Sequence, residues 1–402
     1  MSVNRKNMPE SIIYLDNAAT TRIDERVMKS MIPYLSEVYG NASSLHSIGT
    51  QAKEVLENSR TIIANSLGSD ASNVYFTSSG TESNNWALKG IAYANRNKGR
   101  HIIVSSIEHD CVINTCKWLA DEGFFITYLP VDSNGIIDTE ALRQAINPKT
   151  ILVSVMHANN EIGTIEPIGE IGTICKKHQV YFHSDACQSF GKIPLDVDKA
   201  GIDLLTINAH KIYGPKGIGA LYIRKGVNIV PLLHGGGQEG GLRSSTENLS
   251  SIVGFALAAK LCINEFRNEA ERLYLLRKKI ENFLFSTYEN AYINGHPDQR
   301  LPGHLSFSFH GLEGETIRLL LLLDEMGIAV SAGSACSLND QSHNASHVLQ
   351  AIGLNPFEAR GAIRVSMGRF TTENEVDIFM DSLRQALFSL TSIYSEYSVM
   401  NR

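Results

Sequence analysis

The chain is 402 residues long and carries 36 lysines and arginines against 42 aspartates and glutamates, a formal charge of −6; this mild acidity argues against a nucleic-acid binder, which shows a basic excess. Hydrophobic residues make up 43% and charged ones 19%, which excludes wholesale disorder and allows a large core. At roughly 150 residues per domain, two to three domains are expected.

Met1 to Asp16 lacks the apolar centre of an export signal. No run approaches the roughly 18 apolar residues of a membrane span, so a cytoplasmic protein is expected. The first strand-like run is Ile12-Ile13-Tyr14-Leu15, and Asp24 can cap a helix reaching Tyr34. Gln51–Leu67 is an amphipathic helix closed near Gly68. There follow a strand Val74–Phe76, a helix Thr81–Arg96, a strand His101–Ser105, a helix Val112–Glu122, a strand Phe124–Leu129 and a helix Thr139–Ile146. Ile151–Met156 is continuously apolar, as a strand buried on both faces should be. A helix Ile168–His178 precedes strands at Val180–His183, Leu204–Ile207 and Ala220–Ile223. This alternation predicts a mostly parallel sheet flanked by helices.

The rhythm changes after Gly241. Leu249–Phe285 is almost continuously helical in pattern, with short strands following at Ala291–Asn294, His304–Phe309, Ile328–Val330 and Ala362–Val365, and a helix over Gly314–Glu325. The predicted division is a segment 1–15 packing on the smaller unit, a large unit over 16–260, and a small α+β unit over 261–402.

Four stretches can carry chemistry. Thr77-Ser78-Ser79-Gly80-Thr81-Glu82-Ser83 lies between a strand and a helix, where small residues and free N–H groups can cradle an anion; read alone, it is equally an ordinary capped helix start. Asp185 ends one strand and Lys211 follows the next, in His210-Lys211-Ile212-Tyr213-Gly214-Pro215-Lys216-Gly217. An aldehyde cofactor needs a lysine to bond, and a pyridinium ring needs a carboxylate to stay protonated. Lys211 alone reads as a solvated loop lysine, and Lys216 competes with it; with Asp185 and the cradle it points to pyridoxal 5'-phosphate. Polar clusters at Glu108-His109-Asp110 and at His157-Ala158-Asn159-Asn160-Glu161 follow two further strands, so successive strand ends converge on one crevice. The glycine-dense stretch Gly235–Thr246 is either a domain connector or a wrap for a phosphate through Arg243 and Thr246.

The six cysteines, at 111, 116, 175, 187, 262 and 336, show no CxxC pair and no zinc-type spacing. They are expected as free thiols, most of them buried. Cys336 departs from that pattern, because Ser331–Ser337 holds only small residues and the polar stretch Ser337–Ser346 is expected to move.

These motifs, from Tyr14-Leu15-Asp16-Asn17-Ala18-Ala19-Thr20-Thr21 to Gly368-Arg369-Phe370-Thr371-Thr372, resemble the NifS/IscS-type cysteine desulfurases of group I, in the class V aminotransferase family of fold-type I pyridoxal-phosphate enzymes. The resemblance implies an α/β fold of that type, L-cysteine as substrate, and L-alanine with a persulfide on Cys336 as products. It implies that Lys211 bonds the cofactor and acts as base, that Asp185 pairs with the ring nitrogen, that Gln188 bonds the phenolic oxygen and that His109 stacks on the ring. It further implies phosphate binding by Gly80, Thr81 and His210, with Thr246 reaching in from the other subunit of a homodimer, contact of Asn160 with the cofactor and substrate together, and a hold on the substrate carboxylate by Arg364. The sulfur acceptor would be an iron–sulfur scaffold or another protein; no membrane or nucleic-acid partner and no resident metal are implied, although Cys336 could ligate a cluster together with a scaffold. This chain departs from the pattern in three places. Asn208 stands where many relatives have a serine, and is kept as a phosphate ligand through its amide. Cys187 replaces a common Thr or Ser, and the loop after Cys336 is slightly long. A selenocysteine lyase or aminotransferase on the same scaffold is the rival enzyme, and a non-catalytic assembly scaffold the rival of another class.

Overall fold

The computed structural model describes residues 12–333 and 345–400, with 391–400 as backbone only. Its strands are β1 Ile13–Tyr14, β2 Val74–Thr77, β3 His101–Ser105, β4 Phe125–Leu129, β5 Thr150–Ser154, β6 Tyr181–Asp185, β7 Leu204–Asn208, β8 Gly219–Ile223, β9 Ala291–Ile293, β10 His304–Phe309, β11 Ile328–Ala329, β12 Ser331–Ala332 and β13 Ile363–Ser366. The α-helices are α1 Glu25–Met31, α2 Pro33–Ser36, α3 Ser47–Leu67, α4 Gly80–Asn95, α5 Asp110–Asp121, α6 Thr139–Ala145, α7 Ile168–His178, α8 Leu249–Thr287, α9 Thr316–Glu325, α10 His347–Ala351 and α11 Glu373–Met400.

The apolar runs at β3, β5, β7 and β8 are buried at every position, as strands covered on both faces must be. They build a seven-stranded sheet in the order β2-β8-β7-β6-β5-β3-β4. Only β8 runs against its neighbours, so the carboxyl ends of β2, β3, β5, β6 and β7 lie along one edge. β4, at the sheet margin, is half exposed.

Helix caps follow the local chemistry. Asp24 accepts from the Arg26 N–H at the start of α1, and Gly68 closes α3 in the left-handed conformation, φ 71°. The expected helix from Asp24 to Tyr34 is instead two pieces, because Pro33 begins a new turn.

α8 is long and apolar enough to cross a membrane by length and composition alone, contrary to the expectation that no stretch would be, and half of its most apolar window is buried inside the protein. Its first half packs Ile252, Phe255 and Ala259 into the core of the large sheet. Its second half packs Leu273, Leu276 and Ile280 into a separate core around β10 and β13. The smaller sheet is antiparallel, in the order β12-β13-β10-β9. The run Ile328–Val330, expected as one strand, stops at Ala329 as β11, which pairs in parallel with β1; β12 follows Val330 and pairs with β13. Ile13 and Leu15 thereby join the smaller core; residues 1–11 lie outside the described residues. α11 has no counterpart in the sequence reading, yet Val376, Phe379, Leu383, Ala386 and Leu390 recur at helical spacing and are buried.

Candidate active site

The β7–β8 turn positions Lys211. Ile212 is drawn into the core and the Ile212 and Gly214 N–H groups donate to the Ala209 carbonyl. Tyr213 holds φ at +65°, a strained value for an aromatic residue. Its N–H donates to Thr21 Oγ1 at 2.8 Å and its hydroxyl to Glu269 at 2.9 Å, while the Arg369 guanidinium lies 4.4 Å from the ring centroid. Lys211 is left facing the crevice, where Nζ donates to the Ala18 carbonyl and, at 2.7 Å, to the Ala19 carbonyl. Lys216, the competing lysine, is exposed.

Asp185 ends β6 and is buried. Oδ1 accepts from the Cys187 N–H at 2.8 Å and Oδ2 from Asn84 Nδ2 at 2.6 Å. Both partners are neutral donors. Gln188 donates through Nε2 to the same Ala18 carbonyl at 2.9 Å, and its Oε1 accepts from Lys192 at 3.4 Å. Those two partners fix which end of the amide is which. His109 caps α5, its Nδ1 accepting from the Cys111 N–H at 3.1 Å.

Gly80 opens α4 beneath the same edge. A Cβ there would come 2.6 Å from Cys187 Sγ and 3.4 Å from Asn208 Nδ2, so only glycine leaves the helix N-terminus open. Thr81 is exposed beside it, and Asn208 is buried with its Oδ1 lacking a hydrogen-bond partner. His210 Nδ1 lies 3.2 Å from Thr20 Oγ1. Burial, reinforced by Lys211, Lys216 and Lys192, pushes its imidazole down to about 4, which keeps it neutral at physiological pH.

Arg364, on β13, is buried; Nη2 pairs with Asp16 at 2.7 Å and Nη1 donates to the Asn160 carbonyl at 3.0 Å, leaving Nε without a partner. Arg243 does not stand open for a phosphate, as the sequence suggested. It is held by Glu82 at 2.8 Å, in the first turn of α4, where a carboxylate is favoured by the helix dipole. Thr246 is exposed. The preceding stretch is pinned by Glu239, which accepts from Arg60 at 2.6 and 2.8 Å and from the Phe76 N–H at 2.9 Å. Cys336 and the stretch 337–344 lie outside the described residues. The segment leaves β12, whose Ser331 pairs across to Arg364, and returns at Ala345.

Sequence reasoning missed Asn84 and the Ala18 and Ala19 carbonyls, and placed Glu108 and Glu161 in polar strand-end clusters without giving either a role. Asn84 sits one helical turn after Gly80, so a buried polar residue on that face was a usable signal; carbonyl groups leave none. Glu108 is fully buried between Ser105 Oγ and the Met156 N–H, both 2.7 Å away, and burial pushes its carboxyl up to about 8. Two thiols line the site. Burial, with the Asp185 charge, pushes Cys111 up to about 12 and Cys187 well above its ordinary range.

An aldehyde-bearing, phosphorylated pyridine fits these residues. Lys211 offers the amine, Asp185 a buried carboxylate, Gln188 a spare amide hydrogen, and the Gly80 helix start an open cradle beside the unsatisfied Asn208 amide. The sequence profile of the aminotransferase class-V family matches residues 13–379. A "Cysteine desulfurase IscS" from Methanosarcina thermophila is 48% identical over 381 residues, covering 95% of this chain and 93% of that protein. A namesake from Dictyoglomus turgidum is 47% identical over 381 residues, covering 95% and 96%. Among solved structures, a "NifS-like protein" superposes with a TM-score of 0.87 at 42% identity over 94% of this chain and 99% of that one. "SspA in complex with cysteine" gives 0.79 at 39% identity, covering 89% and 99%. The chain therefore belongs to the aminotransferase class-V family, on the branch of the pyridoxal-phosphate-dependent cysteine desulfurases of the IscS and NifS type.

Proposed function

We propose that the chain converts L-cysteine to L-alanine, leaves the sulfur as a persulfide on Cys336, and passes it to an acceptor protein, with iron–sulfur cluster assembly as the destination. The observation that carries the reading is the convergence of Lys211 Nζ and Gln188 Nε2 on the Ala18 carbonyl, at the strand edge where Asp185 lies buried.

Pyridoxal 5'-phosphate bound here supplies an electron sink for the bond pair of the substrate Cα–H. Lys211 would hold the aldehyde carbon through its amine, and as a free amine beside the substrate it would serve as the base for the Cα proton. Asp185 would keep the ring nitrogen protonated, Gln188 would donate to the phenolic oxygen, and His109 would pack on the ring. The phosphate would be held by the Gly80 and Thr81 N–H groups, Asn208 and neutral His210. The partner subunit's Thr246 completes that cradle in a homodimer. Arg364 exchanges Asp16 for the substrate carboxylate, beside Asn160. The Cys336 thiolate then attacks the substrate sulfur. An S–S bond forms, the substrate Cβ–S bond breaks with its electron pair moving to carbon, and a proton added at Cβ together with return of a proton from Lys211 to Cα completes alanine.

Mass spectrometry after one turnover should find one added sulfur on the Cys336 peptide, and Cys336→Ser should lower sulfide release with a reductant to background while leaving cofactor binding intact. Sulfur on the Cys187 peptide would defeat this assignment. The raised pKa of that buried thiol supports the opposite outcome.

A further inference from the structure

We propose that Asp16 sets the affinity of the site for amino-acid carboxylates, by competing with them for Arg364, so that product alanine is held weakly and leaves. The inference rests on the desulfurase reading above and on Arg364 as the group that takes the substrate carboxylate. Arg364 lies on β13 with its side chain only 4% exposed. Among the described residues, Asp16 is the one carboxylate in contact with that guanidinium, Oδ1 to Nη2 at 2.7 Å. Nη1 is committed to the Asn160 carbonyl at 3.0 Å. Nε is buried and has no hydrogen-bond partner. Nε and Nη2 form one edge of the planar guanidinium, an edge that a carboxylate can grip with two parallel bonds. Half of that edge is taken by Asp16. An incoming carboxylate finds Nε open and must win Nη2 from Asp16.

The backbone fixes this pairing. The segment after β1 runs along β13, with Asp16 bridged in parallel to Ser366. The Ser366 N–H donates to the Leu15 carbonyl at 2.7 Å and the Asn17 N–H to the Ser366 carbonyl at 3.0 Å. The Ala18 N–H donates to Ser366 Oγ at 2.8 Å. Ser366 stands two residues after Arg364 on the same face of the strand, so Asp16 is held beside the arginine by the strand itself. Two residues further on, the Ala18 and Ala19 carbonyls receive Lys211 Nζ. One stretch of four residues thus contacts both cations of the site.

Competition follows from the charges. A carboxylate that meets an unpaired, buried guanidinium gains a whole ion pair. One that meets Arg364 exchanges an existing pair for a new one, and frees Asp16, whose side chain is 19% exposed, to water. The gain is only the difference between the two. Asp16→Asn keeps the shape and an acceptor oxygen but loses the charge, and a charge-assisted hydrogen bond is roughly twice as strong as a neutral one. The arginine is then left without its counter-charge, and a ligand carboxylate supplies it.

Binding of L-alanine to the cofactor-loaded protein is measured by calorimetry, with ethylamine as the matching amine that lacks a carboxylate. Asp16→Asn and Asp16→Ala should each lower the Kd for alanine about tenfold or more. The Kd for ethylamine should stay within roughly threefold of the parent in both, and borohydride labelling of Lys211 should stay at the parental level. A folding defect would weaken both ligands, so a gain confined to the carboxylate ligand reads competition alone. Alanine affinity that rises in neither variant, or an equal rise for ethylamine, would overturn the assignment. Alanine binding that Arg364→Ala leaves at the parental level would instead overturn the reading of Arg364 on which it rests.

Discussion

Replacing Asp185 with asparagine removes a charge and keeps the shape, and the structure separates the two consequences. The carboxylate accepts from Asn84 on one oxygen and from the Cys187 N–H on the other. An asparagine has one acceptor oxygen, so its NH₂ would face a donor. Asn84 Oδ1 has no hydrogen-bond partner; turning over the Asn84 amide presents that oxygen to the new NH₂. The cost to folding is then about 1 kcal/mol. The electrostatic loss is larger. Opposite unit charges 4 Å apart at an effective dielectric constant of 20 interact by about 4 kcal/mol, equivalent to a change of about a thousandfold in proton affinity. Asp185→Asn should therefore lower kcat for alanine formation about a thousandfold, while borohydride labelling of Lys211 stays at the parental level. A loss below about tenfold would refute the pairing of Asp185 with the ring nitrogen. Loss of labelling as well would assign Asp185 to folding instead.

Borohydride reduction followed by peptide mapping should label Lys211, with Lys216→Ala fully labelled and Lys211→Ala unlabelled; label on Lys216 would reverse the assignment. Thr246→Ala should weaken cofactor phosphate binding, and mixing Lys211→Ala with Thr246→Ala subunits should restore one intact site per dimer; a monomer by light scattering, or no recovery on mixing, would remove the composite site. Glu166 is buried, with Oε2 accepting from the Ile137 N–H at 3.1 Å, and burial raises its carboxyl from 4.5 to about 8. The folded state holds that proton more tightly than the unfolded one, so stability falls as pH rises from about 4.5 towards 8, by at most about 1.4 kcal/mol per pH unit. Glu166→Gln should gain stability relative to the parent on going from pH 6 to pH 9, read from urea midpoints; an unchanged difference would show that the carboxyl ionises without cost.

The order of elements was legible because it rests on local patterns. Apolar runs bounded by turn residues gave the central strands to within about two residues, and β3, β10 and α7 appear at the boundaries read from sequence. The candidate residues were legible for a related reason. In a parallel sheet each carboxyl end carries its polar cluster to the same edge, so Gly80, His109, Asn160, Asp185 and Lys211 could be named before any distance was known. The long helix α8 was also readable, since Leu249–Phe285 contains no proline to interrupt it.

Pairings between residues far apart in the chain were decided only by the tertiary structure. Arg243 looked free for a phosphate, yet Glu82 lies within 2.8 Å of it. The stretch Ile328–Ala332 serves two sheets, because its partners, β1 and β13, come from opposite ends of the sequence. The Ala18 carbonyl became the meeting point of Lys211 and Gln188 although alanine carries no functional group in its side chain. A sequence pattern records which face of an element is apolar; which backbone carbonyl or carboxylate meets that face depends on how distant elements pack, since hydrogen bonds and ion pairs act over a few ångströms of space irrespective of separation along the chain.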